Sequence, residues 1–381
     1  MRHRGGQRAA EADSAGTGIE AAAAGRPEQE RAGGRFRRFL RLLTEQREAA
    51  LLSFIVVFSV GMFIATPDFL TAGNLLSVLL GASIKAIVAV GMTVLLVSGG
   101  FDLSVGSVLA LGGVVAGSLA LAGVPVPLTV AAAISVGLLI GAVNGVFVAK
   151  IGINPLIQTL GTLSVARGLV LLAGGGFGVT GLPSSFTKLG QTVVFSVQMP
   201  ILIMLVLALA GDFLLRRSRL LRLTYYVGGN EKAARLTGIP VDRVKIGCYL
   251  LTATLASLGG VIEAARFATA SVSAGEGLEL QVIAAVVIGG ASLSGGSGTV
   301  FGAMLGVLLT ELIVNALNLF GVAPFWQPIA VGLVLILAVG VDAVTIRVRN
   351  RRSSLHEATP PEPDAQQQSG VNSPTTEGGR S

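Results

Sequence analysis

Few side chains in this sequence could carry chemistry, and most of those that could lie in apolar surroundings. Lys85, Asp102, Arg167 and Glu311 each interrupt a hydrophobic run, and Glu263 and Arg266 stand three apart near the end of another. Ionisable groups so placed are costly in lipid and face a bundle interior or water. Asp102 belongs to the block Gly99-Gly100-Phe101-Asp102-Leu103-Ser104-Val105-Gly106-Ser107. The block returns as Gly289-Gly290-Ala291-Ser292-Leu293-Ser294-Gly295-Gly296-Ser297, with six of nine positions identical. Each copy reads as a helix ending in a glycine pair followed by a fresh helix start, with Asp102 or Ser292 able to cap the new N-terminus.

Broken helices are tolerated inside a membrane only where protein covers them or water fills a cavity beside them. Paired breaks in two related halves point to a translocation path. The chemistry open to such a path is hydrogen bonding to a polar solute, and its candidate residues are Gly99, Gly100, Asp102, Ser104, Arg167, Gly289, Gly290, Ser292 and Ser294. Asp102 serves either as a cap at an embedded break or as a cavity-lining group, and the two roles are compatible. Arg167 either snorkels outward or offers donors to the solute. Glu263 and Arg266 read as a partly exposed ion pair, while Glu311 has no partner that the sequence identifies.

Other chemistry is missing. The chain has no GxxxxGK[ST] phosphate loop, no H-E-x-x-H and no nucleophile elbow in a strand context. Cys248 is the only cysteine, and His3 and His356 lie in the two tails, so no disulfide, metal cluster or cofactor is expected. The chain reads as a non-enzyme.

Composition explains what must hold these residues. Of 381 residues, 52% are hydrophobic and 13% charged, with a mean hydropathy of +0.75, whereas soluble domains carry about 25% charged residues. An all-α, polytopic membrane protein follows. The 52 glycines suit helices that pack closely on small residues. The net charge of +7 gathers in the N-terminal arm, a central loop and the region after Ile346; it is topological, and no nucleic acid is expected as a partner.

In chain order, residues 1–48 read as a disordered basic arm, with an amphipathic helix over 35–47 suited to the membrane surface and its lipid. No cleavable signal peptide is expected. The transmembrane region runs over 49–346, and 347–381 reads as a disordered tail. About ten crossings fit the apolar runs, the shortest being Gln281–Gly290. Eight crossings with the short segments re-entrant fit the charge pattern equally. Either count puts both termini in the cytoplasm. Gly174–Gln191 is the main outside loop. With ten crossings both glycine blocks face the cytoplasm, which makes the repeat a parallel one.

The polar interruption Arg216–Lys245 carries eight basic residues against two acids, which holds it on the cytoplasmic side. Inside it, Asn230 can cap a helix, Glu231 suits its first turn, and Gly238 and Pro240 stop it. The spacing predicts a two-turn helix over roughly Glu231–Thr237, and Asp242 can cap the helix after it. So short a helix is unstable in water alone and must dock, either on its own membrane domain or on a partner protein.

Four stretches together carry a resemblance: GMTVLLVSGGFDLSVGSVLALGGVVAG (Gly91–Gly117), NPLIQTLGTLSVARGL (Asn154–Leu169), VGGNEKAARLTGIPVDRVK (Val227–Lys245) and GEGLELQVIAAVVIGGASLSGGSGTVFGAMLGV (Gly275–Val307). In collinear order from about Leu51 to Val341, the chain resembles the ribose-type sugar permeases of bacterial ABC importers. The resemblance implies an inner-membrane homodimer working with an ATPase subunit of two nucleotide-binding domains and an extracytoplasmic sugar-binding protein. It implies that the short helix sits in a groove of the ATPase, with Gly229, Asn230, Glu231, Ala233, Ala234, Arg235 and Gly238 in that region. Arg235 and Glu231 would then supply contacts, and Ala233 and Ala234 would permit close approach. Transport would proceed by alternating access, with pentoses, hexoses or related polyols as solutes. Phe101 departs from the isoleucine usual in the family. The other readings are an autonomous carrier coupled to an ion gradient, a membrane enzyme, for which no catalytic constellation is visible, and an exporter or branched-chain amino acid permease of related design.

Overall fold

The computed structural model describes residues 47–323 and, beyond them, residues 325–330, 332, 333, 336 and 340. The chain divides into two units, Met1–Leu335 and Ile336–Ser381, and the elements below all belong to the first. The tails, and the interfacial helix expected over 35–47 apart from its last residue, lie outside the described residues. So does much of the last expected crossing, Phe325–Val341.

Twelve helices are described: α1 (Arg47–Ala65), α2 (Ala72–Val97), α3 (Val105–Leu121), α4 (Val126–Val146), α5 (Pro155–Ala173), α6 (Ser184–Gln191), α7 (Met199–Arg217), α8 (Arg219–Gly229), α9 (Glu231–Leu236), α10 (Val241–Phe267), α11 (Leu278–Ile288) and α12 (Val300–Leu319). A π turn, Phe147–Ile151, prolongs α4 until Gly152 turns left-handed. Seven of these segments are long and apolar enough to cross a membrane, while α3 and α11 are shorter apolar helices. The all-α class stands, with a multi-pass membrane protein as its consequence. Of the ten expected crossings, seven correspond to full-length helices among the described residues, two to the shorter apolar segments, and the last lies largely outside the described residues.

Local chemistry sets the boundaries. Thr71, Asn154 and Thr299 cap α2, α5 and α12, each side chain accepting a backbone N–H of the first turn. Pro155 opens α5, where a missing N–H costs nothing. α2 and α10 form the buried centre, and α1 and α5 lie at its margin. α10 draws in its neighbours through glycines. A methyl built on Gly137, Gly141 or Gly145 of α4 would lie within 3 Å of α10 backbone at Ala253, Leu250 and Ile246 in turn. These i, i+4 positions form one helical stripe, and the missing side chains let two backbones touch.

Four two-residue strands complete the unit. β1 (Val179–Thr180) pairs antiparallel with β4 (Thr269–Ala270), and β2 (Val193–Val194) with β3 (Val197–Gln198). The β1–β4 pair and helix α6, whose Gln191 amide donates to the Arg266 carbonyl, tie the Gly174–Gln191 segment to the end of α10. That segment was expected as a loop; packing against α10 gives it structure.

The short second-half segment has a simple explanation. Eleven residues of α11 rise about 16 Å, roughly half of a ~30 Å hydrocarbon core. The irregular run Ser271–Gly277 precedes it and lies against α3, where Gly275 and Gly106 face each other so closely that neither tolerates a side chain. The helix of this passage is preceded by a run of turns, half-buried to exposed.

Candidate functional site

Three groups of residues stand out, and the first is the pair of breaks. Gly99 has φ +78° and Gly290 φ +99°, the left-handed conformation that glycine adopts without strain. Gly100 N–H donates to the Leu95 carbonyl (3.0 Å), and Ala291 N–H donates to the Val286 carbonyl (3.1 Å). These are the same six-to-one helix closure, displaced by one residue because α11 runs one position further into its block. After the turns, Asp102 Oδ1 accepts from Ser104 N–H at 2.8 Å and Ser292 Oγ accepts from Ser294 N–H at 3.2 Å. The two copies therefore repeat a local fold as well as a string of letters.

The structure corrects the capping expectation. Helix α3 begins at Val105 and α12 only at Val300, so Asp102 and Ser292 stabilise turns ahead of the helices, and Thr299 caps the second. Both breaks lie at the same end of the bundle, against α8, as a parallel repeat requires: Gly296 N–H donates to the Val97 carbonyl at 2.8 Å.

The second group is a buried polar chain. Ser104 Oγ donates to Asp102 Oδ1 (2.5 Å), Asn144 Nδ2 to Ser104 Oγ (3.1 Å), and Thr162 Oγ1 to Asn144 Oδ1 (2.6 Å). Gln158 Nε2 reaches Asn144 Oδ1 at 3.3 Å. Asp102 is fully buried, and its Oδ2 has no hydrogen-bond partner among the described residues. Gln158 and Thr162 end the chain in a cavity of about 430 Å³ otherwise lined by apolar side chains of α4 and α5 and by Ile153. Asn144, Gln158 and Thr162 escaped the sequence reading. The available signal was an amide in the otherwise apolar α4, with Gln158 and Thr162 four apart on α5.

Arg167 stands away from both groups. Its guanidinium donates to the carbonyls of Val272 (2.7 Å) and Ala274 (3.1 Å), in the irregular run before α11. Backbone without helical partners at membrane depth needs such donors, so its hydrogen bonds go to the protein itself. The predicted path residues therefore fall in four places: Gly99 and Gly100 at the first break, Asp102 and Ser104 in the polar chain, Arg167 against the run before the half-helix, and the other four at the second break. Gly289 packs on Gly302 of α12, and Gly290, Ser292 and Ser294 form the second break.

Two further charge readings change. Glu311 does have a partner: Lys85 Nζ lies 2.8 Å from Glu311 Oε2, joining α2 to α12. Glu263 and Arg266 form no ion pair among the described residues. Arg266 instead donates to the Leu80 carbonyl at 3.1 Å and lies over the Phe267 ring at 4.8 Å, which suits a guanidinium with several donors.

The third group is the basic segment. It holds two helices where one was expected, α8 and α9. Asn230 caps α9, accepting from Ala233 N–H at 3.0 Å, and Gly238 closes it at φ +81°. Arg235 bridges Glu231 (3.1 Å) and Asp242 (2.6 Å), and Lys245 reaches Glu231 at 2.5 Å. Asp242 therefore lies in the first turn of α10 and pairs with Arg235, while Pro240 holds the cap position. Ala234 is 3% exposed and packs with Val227 and Val241. It faces its own chain, so only Ala233 of the two alanines offers an open approach. Leu236, which the sequence reading passed over, is 90% exposed at the tip of this braced helix.

Partial burial pushes the Glu231 carboxyl up, but hydrogen bonds from Lys245 and Arg235 outweigh it and hold the group below its ordinary 4.5. A carboxyl so depressed adds stability that is present above that value and lost as pH falls below it. We expect the protection of α9 amides from hydrogen exchange to weaken on acidification, and Glu231→Gln to flatten that dependence. An unchanged pH profile in the variant would refute the bracing role.

Comparison with known proteins identifies what the chain is similar to. The family model described as branched-chain amino acid transport system / permease component matches residues 74–339. The chain is 42% identical over 305 residues to the ribose import permease protein of Escherichia coli (strain K12), covering 79% of this chain and 94% of that one. It is 39% identical over 291 residues to the ribose import permease protein of Bacillus subtilis (strain 168), covering 76% and 90%. It is 38% identical over 292 residues to the L-arabinose transport system permease protein of Escherichia coli (strain K12), covering 76% and 89%. No solved structure matches the chain. The family model spans well over half of the chain, and these relatives match more than three quarters of it: the chain belongs to the family of the branched-chain amino acid transport system permease component.

Proposed function

We propose that this chain is the transmembrane permease subunit of an ATP-binding-cassette importer, and that its solute is a sugar, a pentose before a hexose or polyol. The similar proteins of known role are ribose and arabinose permeases, which supports the solute class. The partners are an ATPase subunit with two nucleotide-binding domains, an extracytoplasmic sugar-binding protein and a second copy of the chain, in a bacterial inner membrane with both termini in the cytoplasm. ATP binding and hydrolysis in the partner move α9, and the spans around the two breaks alternate between inward and outward access. A ligand shifts such an equilibrium only by binding its two states differently, so the ATPase must grip α9 unequally in its nucleotide states.

One observation carries this reading. A six-residue helix, too short to persist alone, is capped and braced by three charged contacts, and it presents Leu236 outward. A helix built so firmly around an exposed apolar tip serves a protein groove.

The test is sugar-stimulated ATPase in vesicles holding the permease, its cognate ATPase and the binding protein. Leu236→Asp and Ala233→Trp should each cut stimulation about tenfold or more, the range in which coupling energies of 1–3 kcal/mol operate. Both positions are exposed, so the fold should survive. Stimulation unchanged in both variants would refute the dock. Uptake by the purified chain alone, driven by an ion gradient without ATP, would establish a secondary carrier instead.

A further inference from the structure

We propose that Gly228 is a positioning residue for coupling: it is the joint through which movement of α9 reaches both broken helices at once. The inference rests on the importer reading above and adds to it the route by which force passes inward.

Three stretches distant in sequence meet at this point with no side chain between them. The first break contributes Val97 and Gly99, the second Gly295 and Gly296, and the basic segment Gly228 and Gly229. The two breaks are tied directly, since Gly296 N–H donates to the Val97 carbonyl at 2.8 Å. Gly228 lies over that bond. A methyl built on it would overlap the Val97 carbonyl oxygen and stand 2.6 Å from Gly296 N. From the other side, a methyl on Gly295 would stand 2.8 Å from the Gly228 carbonyl oxygen and 3.0 Å from Gly99 Cα, and one on Gly296 would stand 2.9 Å from Gly229 Cα. One turn earlier on α8, Tyr225 OH donates to the Gly298 carbonyl at 2.7 Å, gripping the second break again.

The physical consequence lies in stiffness. Where side chains separate two elements, a small displacement is absorbed by rotamer changes. Close-packed backbones have no such slack and transmit strain. Only Asn230, extended at φ −159°, separates the end of α8 from α9. Glycine is required at 228 because backbone must lie on backbone there; Gly247, exposed on α10, is a control. Nothing lies within 4 Å of a methyl built on Gly247.

The experiment compares wild type, Gly228→Ala, Gly247→Ala and Tyr225→Phe in vesicles with the full complex. It reads co-purification of the ATPase, basal ATPase, sugar-stimulated ATPase and uptake. For Gly228→Ala, assembly and basal ATPase should stay within about twofold of wild type, while stimulation and uptake should fall about tenfold or more. Gly247→Ala should stay within about twofold in every readout, and Tyr225→Phe should lose about fivefold or more of the stimulation, the lower end of measured couplings. Normal stimulation in Gly228→Ala, or an equal loss in Gly247→Ala, overturns the joint. If Gly228→Ala fails to assemble, Tyr225→Phe decides, and full coupling in that variant overturns the proposal. A wild-type complex without stimulation overturns the importer reading itself, before any variant is compared.

Discussion

Replacing Glu311 by leucine is expected to destabilise the protein by about 3–5 kcal/mol, because it strands the charge of Lys85 in a partly buried position between α2 and α12. Lys85 lies midway along the 26-residue α2, and its ammonium group is 2.8 Å from Glu311 Oε2, with the two side chains 22% and 12% exposed. A charge near the centre of a span has neither water nor headgroups within easy reach. The double variant Lys85→Met, Glu311→Leu removes both charges and should recover most of the loss, since replacing a buried pair by apolar groups is often nearly neutral. Denaturant unfolding in detergent measures the cycle. If the single variant loses less than the double, the pair is not what secures these helices, and the ion-pair account fails.

Arg167→Leu should follow closely, with a loss of about 2–6 kcal/mol from leaving two carbonyls unsatisfied at about 1–3 kcal/mol each. Val272 and Ala274 offer those carbonyls in the irregular run that precedes α11, and the Arg167 guanidinium meets both at 2.7 and 3.1 Å. Lysine places one ammonium where arginine places a fork, so Arg167→Lys should restore about half. Hydrogen exchange across residues 271–279 separates this from a direct role with solute: anchoring predicts faster exchange there. If exchange is unchanged while uptake falls, Arg167 acts on solute and the anchoring account fails.

These two predictions show why the embedded charges were poorly legible. Hydropathy marks Lys85, Arg167 and Glu311 as anomalies, but a partner 226 residues away along the chain leaves no trace in local spacing. The expected Glu263–Arg266 pair illustrates the converse. Spacing of three on a helix permits an ion pair, yet Arg266 found a carbonyl and an aromatic ring brought by packing. Ala234 was misread for a similar reason. On so short a helix, the side that faces home is set by Val227 and Val241, which lie outside the helix itself.

By itself the sequence determined the class of the protein and its local devices. Hydrophobic runs of membrane-spanning length, the duplicated glycine block, and the Asn230 cap with the Gly238 stop all depend on residues within a few positions of one another. The tertiary structure alone decided what those devices are joined to. It set the two breaks against Gly228, ran Asp102 through Ser104 and Asn144 to Gln158 and Thr162, and gave Arg167 to the backbone ahead of α11. Backbone geometry is encoded locally because sterics and caps act over a turn, whereas partnership follows from which helices lie side by side, and that is settled by packing the whole bundle at once.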